Sequence, residues 1–149
     1  MQVKGEVFVN ASQNEVWDAL NDPEVLKKAT PGCESLTEET PDHYKAKVKL
    51  GIAAVRGDYE ADISILDKVA PDQYTLKMKA DSKMGFVDAE ALVTLDYEDP
   101  KTKISYDGEA KVGGLIAGVG QRILSGVAKM IVKDFFKKIA SETTSEHSS

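Results

Sequence analysis

Apolar and polar positions alternate from the start of the chain. Val3, Gly5, Val7 and Val9 fall on one side and Lys4 and Glu6 on the other, the period of a strand half-buried on a core. Phe8 interrupts the polar side. In the next stretch, SQNEVWDAL, Ser12 and Glu15 have the spacing of a reciprocal helix cap, and Val16, Trp17, Ala19 and Leu20 supply an apolar side. A second start signal follows, with Asp22 as cap, Pro23 in the first helical position and Pro31-Gly32 closing the run. One strand and two short helices are therefore predicted before Cys33.

From Cys33 to Val112 the alternation returns and persists. Tyr44, Ala46, Val48, Leu50 and Ile52 alternate with polar residues, then Val55, Gly57, Tyr59, Ala61, Ile63 and Ile65, and then Tyr74, Leu76 and Met78. Val87, Ala89, Ala91, Val93, Leu95 and Tyr97 follow, and Ile104, Tyr106, Gly108, Ala110 and Val112 close the series. Runs of this kind form antiparallel strands with one face on a core and one in water. Turn residues separate them, as in APDQ and EDPKT. Lys45, Lys47 and Lys49 are expected to face Asp58, Glu60 and Asp62 across one strand pair, as a solvated charged surface.

The period changes between Val112 and Ile139. At about 100° per residue, Ile116, Val119, Gly120, Ile123, Val127, Met130 and Ile131 share one stripe, with Arg122, Lys129 and Lys133 opposite. A long amphipathic helix is predicted. Its charges are incompatible with a membrane span, which needs about 20 consecutive apolar residues. The polar residues from 141 to 149 show no periodicity and read as a disordered tail, so one domain is expected over residues 1–140. The order of elements gives an α+β fold: a curved antiparallel sheet with one apolar face, and the last helix as the only large element able to cover it.

Glycine in this last segment needs a reason. In a helix each glycine costs roughly 0.8–1 kcal/mol against alanine, which puts Gly118, Gly120 and Gly126 at odds with their predicted setting. The sheet face opposite is also lined by small residues, among them Ala89, Ala91, Gly108 and Ala110. Close helix-to-sheet packing and an apolar cavity both fit this pattern. If a cavity forms, its walls are expected from Tyr59, Met78, Met84, Phe86, Ala89 and Ala91 on the sheet, and from Ile116, Val119, Gly120, Ile123 and Val127 on the helix. Met84-Gly85-Phe86 is the loop expected to gate it.

Composition narrows the function. A formal charge of -6 argues against nucleic-acid binding, which needs a cationic surface. The single cysteine, Cys33, and the absence of a signal-peptide pattern favour a reducing cytoplasm. Between residues 112 and 139, however, Arg122, Lys129, Lys133, Lys137 and Lys138 face only Asp134 as counter-charge. Such a balance solvates a helix and complements its dipole, and it also suits docking on an acidic partner or an anionic membrane through Arg122, Lys129, Lys133 and Lys137. The inventory for catalysis is thin. His43 reads as a surface residue and Cys33 as a structural thiol, and neither CxxC nor HExxH spacing occurs. No catalytic residue, metal site or cofactor is predicted.

Two stretches carry a resemblance. EVWDALNDPEVLKKATPGCESL (Glu15 to Leu36) resembles the signature of the carbon monoxide dehydrogenase CoxG family, and VGGLIAGVGQRILSGVAKMIVKDFF (Val112 to Phe136) resembles its glycine-rich C-terminal helix. The resemblance implies an SRPBCC, or START-like, helix-grip fold, with a strongly curved sheet gripping one long helix over an apolar cavity. It also implies a non-enzymatic accessory protein of a molybdenum hydroxylase of the aerobic carbon monoxide dehydrogenase type, one that recruits the enzyme to the inner membrane face or carries a lipophilic quinone or lipid to it. Many relatives continue past the helix into a membrane-anchoring segment. The polar tail here leaves a soluble carrier, or a docking or maturation factor acting by protein contact, as the expectation.

Overall fold

The computed structural model describes residues 1–147, with side chains as far as Thr143. Its elements follow in the order β1 (Gln2–Val9), α1 (Gln13–Leu20), α2 (Pro23–Ala29), β2 (Cys33–Thr40), β3 (His43–Leu50), a 3-10 turn (Ala53–Val55), β4 (Gly57–Val69), β5 (Gln73–Ser82), β6 (Gly85–Glu98), β7 (Lys101–Gly113), a second 3-10 turn (Leu115–Val119) and α3 (Gln121–His147). The strands form one antiparallel sheet in the order β1-β7-β6-β5-β4-β3-β2. This is the predicted helix-grip architecture.

Local chemistry sets the two short helices as the sequence indicates. The Glu15 amide donates to Ser12 Oγ at 3.2 Å and the Ser12 hydroxyl donates to Glu15 Oε1 at 2.7 Å. Asp22 caps α2 by accepting from the Glu24 amide, with Pro23 in the first turn. Across β3 and β4 the register pairs Lys45 with Asp62, Lys47 with Glu60 and Lys49 with Asp58, as expected. On the same outer face the alternation of sign runs on from Asp62 to Lys79, Asp88 and Lys111 over β4 to β7.

The inner face divides into two halves. One half is solid: Val16, Trp17 and Leu20 of α1 and Ala29 of α2 pack with Tyr74, Val93, Leu95 and Ile104 of the sheet and with Phe136 and Ile139 of α3. Trp17 meets Tyr74 edge-on at 5.6 Å, and Tyr106 stacks on Phe136 at 5.3 Å. Gly5 makes room for this layer, since a Cβ there would strike the Tyr106 ring. The other half lies under the first turns of α3, over Met78, Ala89 and Ala110, and is open.

Three expectations are corrected. The last helix begins only at Gln121, because Gly114 and Gly120 hold φ of +79° and +102° and bracket the 3-10 turn; of the three glycines expected to burden the helix, Gly126 alone lies in α3. The inward face of α3 is accordingly displaced by about one residue from the predicted stripe. Leu124, Val132, Phe135, Phe136 and Ile139 face the interior, whereas Ile123 and Met130 are 53% and 44% exposed. A helical phase carried through Ile116 to Gly120 is false because Gly120 interrupts the helix. Finally, the expected tail is helical from 141 to His147 and buries Thr143, whose hydroxyl donates to the Ile139 carbonyl at 3.0 Å; residues 148 and 149 lie outside the described residues.

Candidate functional site: a cleft beneath the start of the long helix

The open half is a cleft of about 660 Å³. Met78 of β5, Ala89 of β6, and Ala110 and Val112 of β7 form its floor, and Ala117, Gln121 and Leu124 form its roof and rim. Met1 closes one side. Its carbonyl accepts from the Ala110 amide at 2.8 Å and its ammonium donates to the Ala110 carbonyl at 2.9 Å, continuing the β1–β7 ladder by one residue. The roof residues belong to the helix side, so the cleft opens on the gripped face of the sheet.

The floor is low because its side chains are small. Ala89 stands opposite Ala110 and next to Met78, and one row deeper Ala91 stands opposite Gly108. With only methyl groups on this face, the backbone of the neighbouring positions Lys79, Asp88 and Lys111 also reaches the cleft, while their side chains belong to the outer face by strand alternation. The ladder satisfies those peptide groups, leaving a surface of methyl, methylene and thioether groups with Gln121 at the rim. Such a lining holds water weakly and accepts apolar molecules.

The predicted ligand residues divide. Met78 and Ala89 line the cleft, and Ala91 follows one row deeper on the same face. Tyr59 is 7% exposed and its hydroxyl donates to the Val55 carbonyl, which fixes the first 3-10 turn and keeps the ring out of the cleft. Met84 packs towards Gly57, where an added Cβ would lie 3.7 Å from Met84 Cγ. Phe86 takes the other side of the sheet: it alternates with Val87 and pairs across to Asp81 and Gly113, and its ring lies on Gly113. Of the helix-side group, Ile116 is buried, Val119, Gly120 and Val127 are half-buried, and Ile123 is exposed. Arg122, Lys129, Lys133 and Lys137 are all exposed on α3.

Sequence reasoning missed Leu124, Gln121, Ala117 and Met1 as lining residues. Leu124 and Gln121 become legible once Gly120 is read as a helix boundary, and Met1 once the β1 alternation is extended back by two residues from Val3. Cys33 is half-buried; burial pushes its thiol up, and its Sγ donates to the Ser35 carbonyl at 3.3 Å. His43 Nε2 lies 3.5 Å from Asp62 on the outer face. Among the described residues no group of three or more His, Cys, Asp or Glu side chains is placed to hold a metal ion, and no helix is long and apolar enough to cross a membrane.

Comparison with known proteins agrees with this architecture. A conserved protein from Geobacillus kaustophilus is 40% identical and superposes with a TM-score of 0.95, over 97% of this chain and 96% of that one. A START superfamily protein from Mycobacterium smegmatis shares the fold at 12% identity and a TM-score of 0.75, over 97% of each chain. A protein from Chromobacterium violaceum does so at 16% identity and the same TM-score, over 95% of this chain and 96% of that one. No curated protein sequence matches the chain. The family model for CoxG, a carbon monoxide dehydrogenase component, matches residues 5–144, and the chain belongs to that family.

Proposed function

We propose that this protein is a non-enzymatic carrier that holds a lipophilic molecule, a quinone or a lipid, in the cleft under α3 and serves a molybdenum hydroxylase of the aerobic carbon monoxide dehydrogenase type. The observation that carries the reading is the cleft itself, about 660 Å³ over a floor of Ala89 and Ala110 in a sheet whose other half is solidly packed. Membership of the CoxG family supports the link to the hydroxylase. The test is native mass spectrometry, with solvent extraction, of protein isolated from its own host. A stoichiometric lipophile is expected, and quinone analogues are expected to raise the melting temperature. Protein that carries no lipophile and does not respond to the analogues would rule the carrier out.

A second reading, a docking or maturation factor acting by protein contact, is favoured by one observation. Leu115, Ile123 and Met130 are 71%, 53% and 44% exposed, on the same stretch as the exposed Arg122, Lys129 and Lys133. Apolar groups beside cations on an acidic protein suit an acidic partner surface, or peripheral contact with an anionic membrane. Reversing the charge at Lys129, Lys133 and Lys137 is expected to abolish recovery of the hydroxylase in a pull-down. Unchanged recovery would remove this reading and leave the carrier.

A further inference from the structure

From the segment between Gly114 and Gly120 we infer that residues 115–119 form a hinged flap at the rim of the cleft, seated by Ile116 and pivoting on the two glycines; this rests on the cleft being a ligand site. The seat is narrow. Ile116 is 2% exposed, whereas Leu115, Ala117 and Gly118 are exposed. The Ile116 amide donates to the Met84 carbonyl at 2.8 Å, the flap's one backbone bond to the β5–β6 hairpin among the described residues. The other bonds of the segment, Ala117 to Gly114 at 3.1 Å and Gly120 to Ala117 at 3.4 Å, are internal to it and move with it.

The two pivots differ in a useful way. At the base the chain is pressed against the hairpin: a Cβ on Gly114 would lie 2.6 Å from Gly85 Cα, and one on Gly85 would strike the Gly113 carbonyl. This contact fixes where the flap is rooted. At the far end nothing lies within 4 Å of a Cβ placed on Gly120, so rotation there meets no obstacle. Both glycines hold positive φ, a region they leave and re-enter without the steric cost of a side chain. A segment with one buried side chain and one outward hydrogen bond opens locally, well below the cost of global unfolding. Ala117 lines the cleft, so movement of the flap changes its aperture. The hairpin Met84-Gly85-Phe86, expected from the sequence to gate the site, is thereby assigned the fixed side of the opening and the 3-10 turn the moving side.

The test combines hydrogen exchange with stopped-flow binding of the neutral apolar fluorophore N-phenyl-1-naphthylamine, on the unmodified chain, Ile116→Ala and the conservative Ile116→Val. In the unmodified chain the Ile116 amide should exchange by local opening, at a rate insensitive to low denaturant, while β6 amides should require global unfolding. Ile116→Ala should speed both entry and exit of the probe by about tenfold, with affinity changed far less and β6 exchange unaltered. Ile116→Val should restore rates close to the original. If the probe binds and its rates are the same in Ile116→Ala, the flap does not control the opening and the inference fails while the carrier reading stands. If the Ile116 amide exchanges only with β6 in the unmodified chain, the flap is part of the rigid body and the inference fails without any variant. If the probe does not bind the unmodified chain, the carrier reading itself fails and this inference with it.

Discussion

Gly85 and Gly126 sit in the same protein for opposite reasons. At Gly85, with φ of +135°, a Cβ would collide with the Gly113 carbonyl and come within 3.0 Å of Ile116 Cγ1, so Gly85→Ala should cost about 1–3 kcal/mol or more in urea unfolding. Gly126 lies in α3 with nothing within 4 Å of a Cβ, and Gly126→Ala should raise stability by about 0.8–1 kcal/mol in the same assay. Tyr44 supplies a second residue-level expectation. Burial, reinforced by the Glu38 carboxylate, pushes its phenol up to about 12, and burial also raises Tyr74. The native fold thus holds these rings neutral. Their contribution to stability should be complete below roughly pH 10, where an unfolded tyrosine ionises, and should be lost as pH rises towards about 12. Absorbance titration should show Tyr44 and Tyr74, of the five tyrosines, ionising last and together with unfolding. Early titration of all five would contradict that burial.

At the scale of elements, α3 bridges a packed half and an open half, and substitutions should report the difference. Phe136→Ala removes a 7% exposed ring stacked on Tyr106 and should cost about 3–5 kcal/mol. Ala89→Leu adds bulk into the cleft and should change stability by less than about 1 kcal/mol while reducing uptake of an apolar probe at least tenfold. A loss of several kcal/mol in Ala89→Leu would mean that the cleft behaves as core. Gly120, where added bulk first looks attractive, is a poorer position for this test, because its φ of +102° strains any side chain whatever the space. Most elements were legible in the sequence, since period-2 alternation and two capped helix starts are local signals. The start of α3 was not. Its apolar residues continue into the 3-10 turn with a nearly helical spacing, and only the backbone angle at Gly120 separates the two. The same slip placed Ile123 inward in place of Leu124. Phe86, by contrast, could have been read correctly, because the alternation that places Val87 and Ala89 inside puts Phe86 outside.

For the whole molecule, the consequence is a protein with one packed half and one receiving half. The aromatic layer of Trp17, Tyr74, Tyr106 and Phe136 fixes α3 at its far end, and the glycine-bounded flap governs the end where the cleft opens. The exposed apolar residues Leu115, Ile123 and Met130 lie at that same end, so the surface that meets a partner and the mouth that admits a ligand share one stretch of chain. The measurement that bears most directly on the carrier is an experimental structure of the protein purified from its own host. Continuous density for an apolar molecule over Ala89 and Ala110, beneath Leu124, is the expected result. Met1, Met78 and Leu124 folded into that space, leaving no room for a ligand, would contradict it.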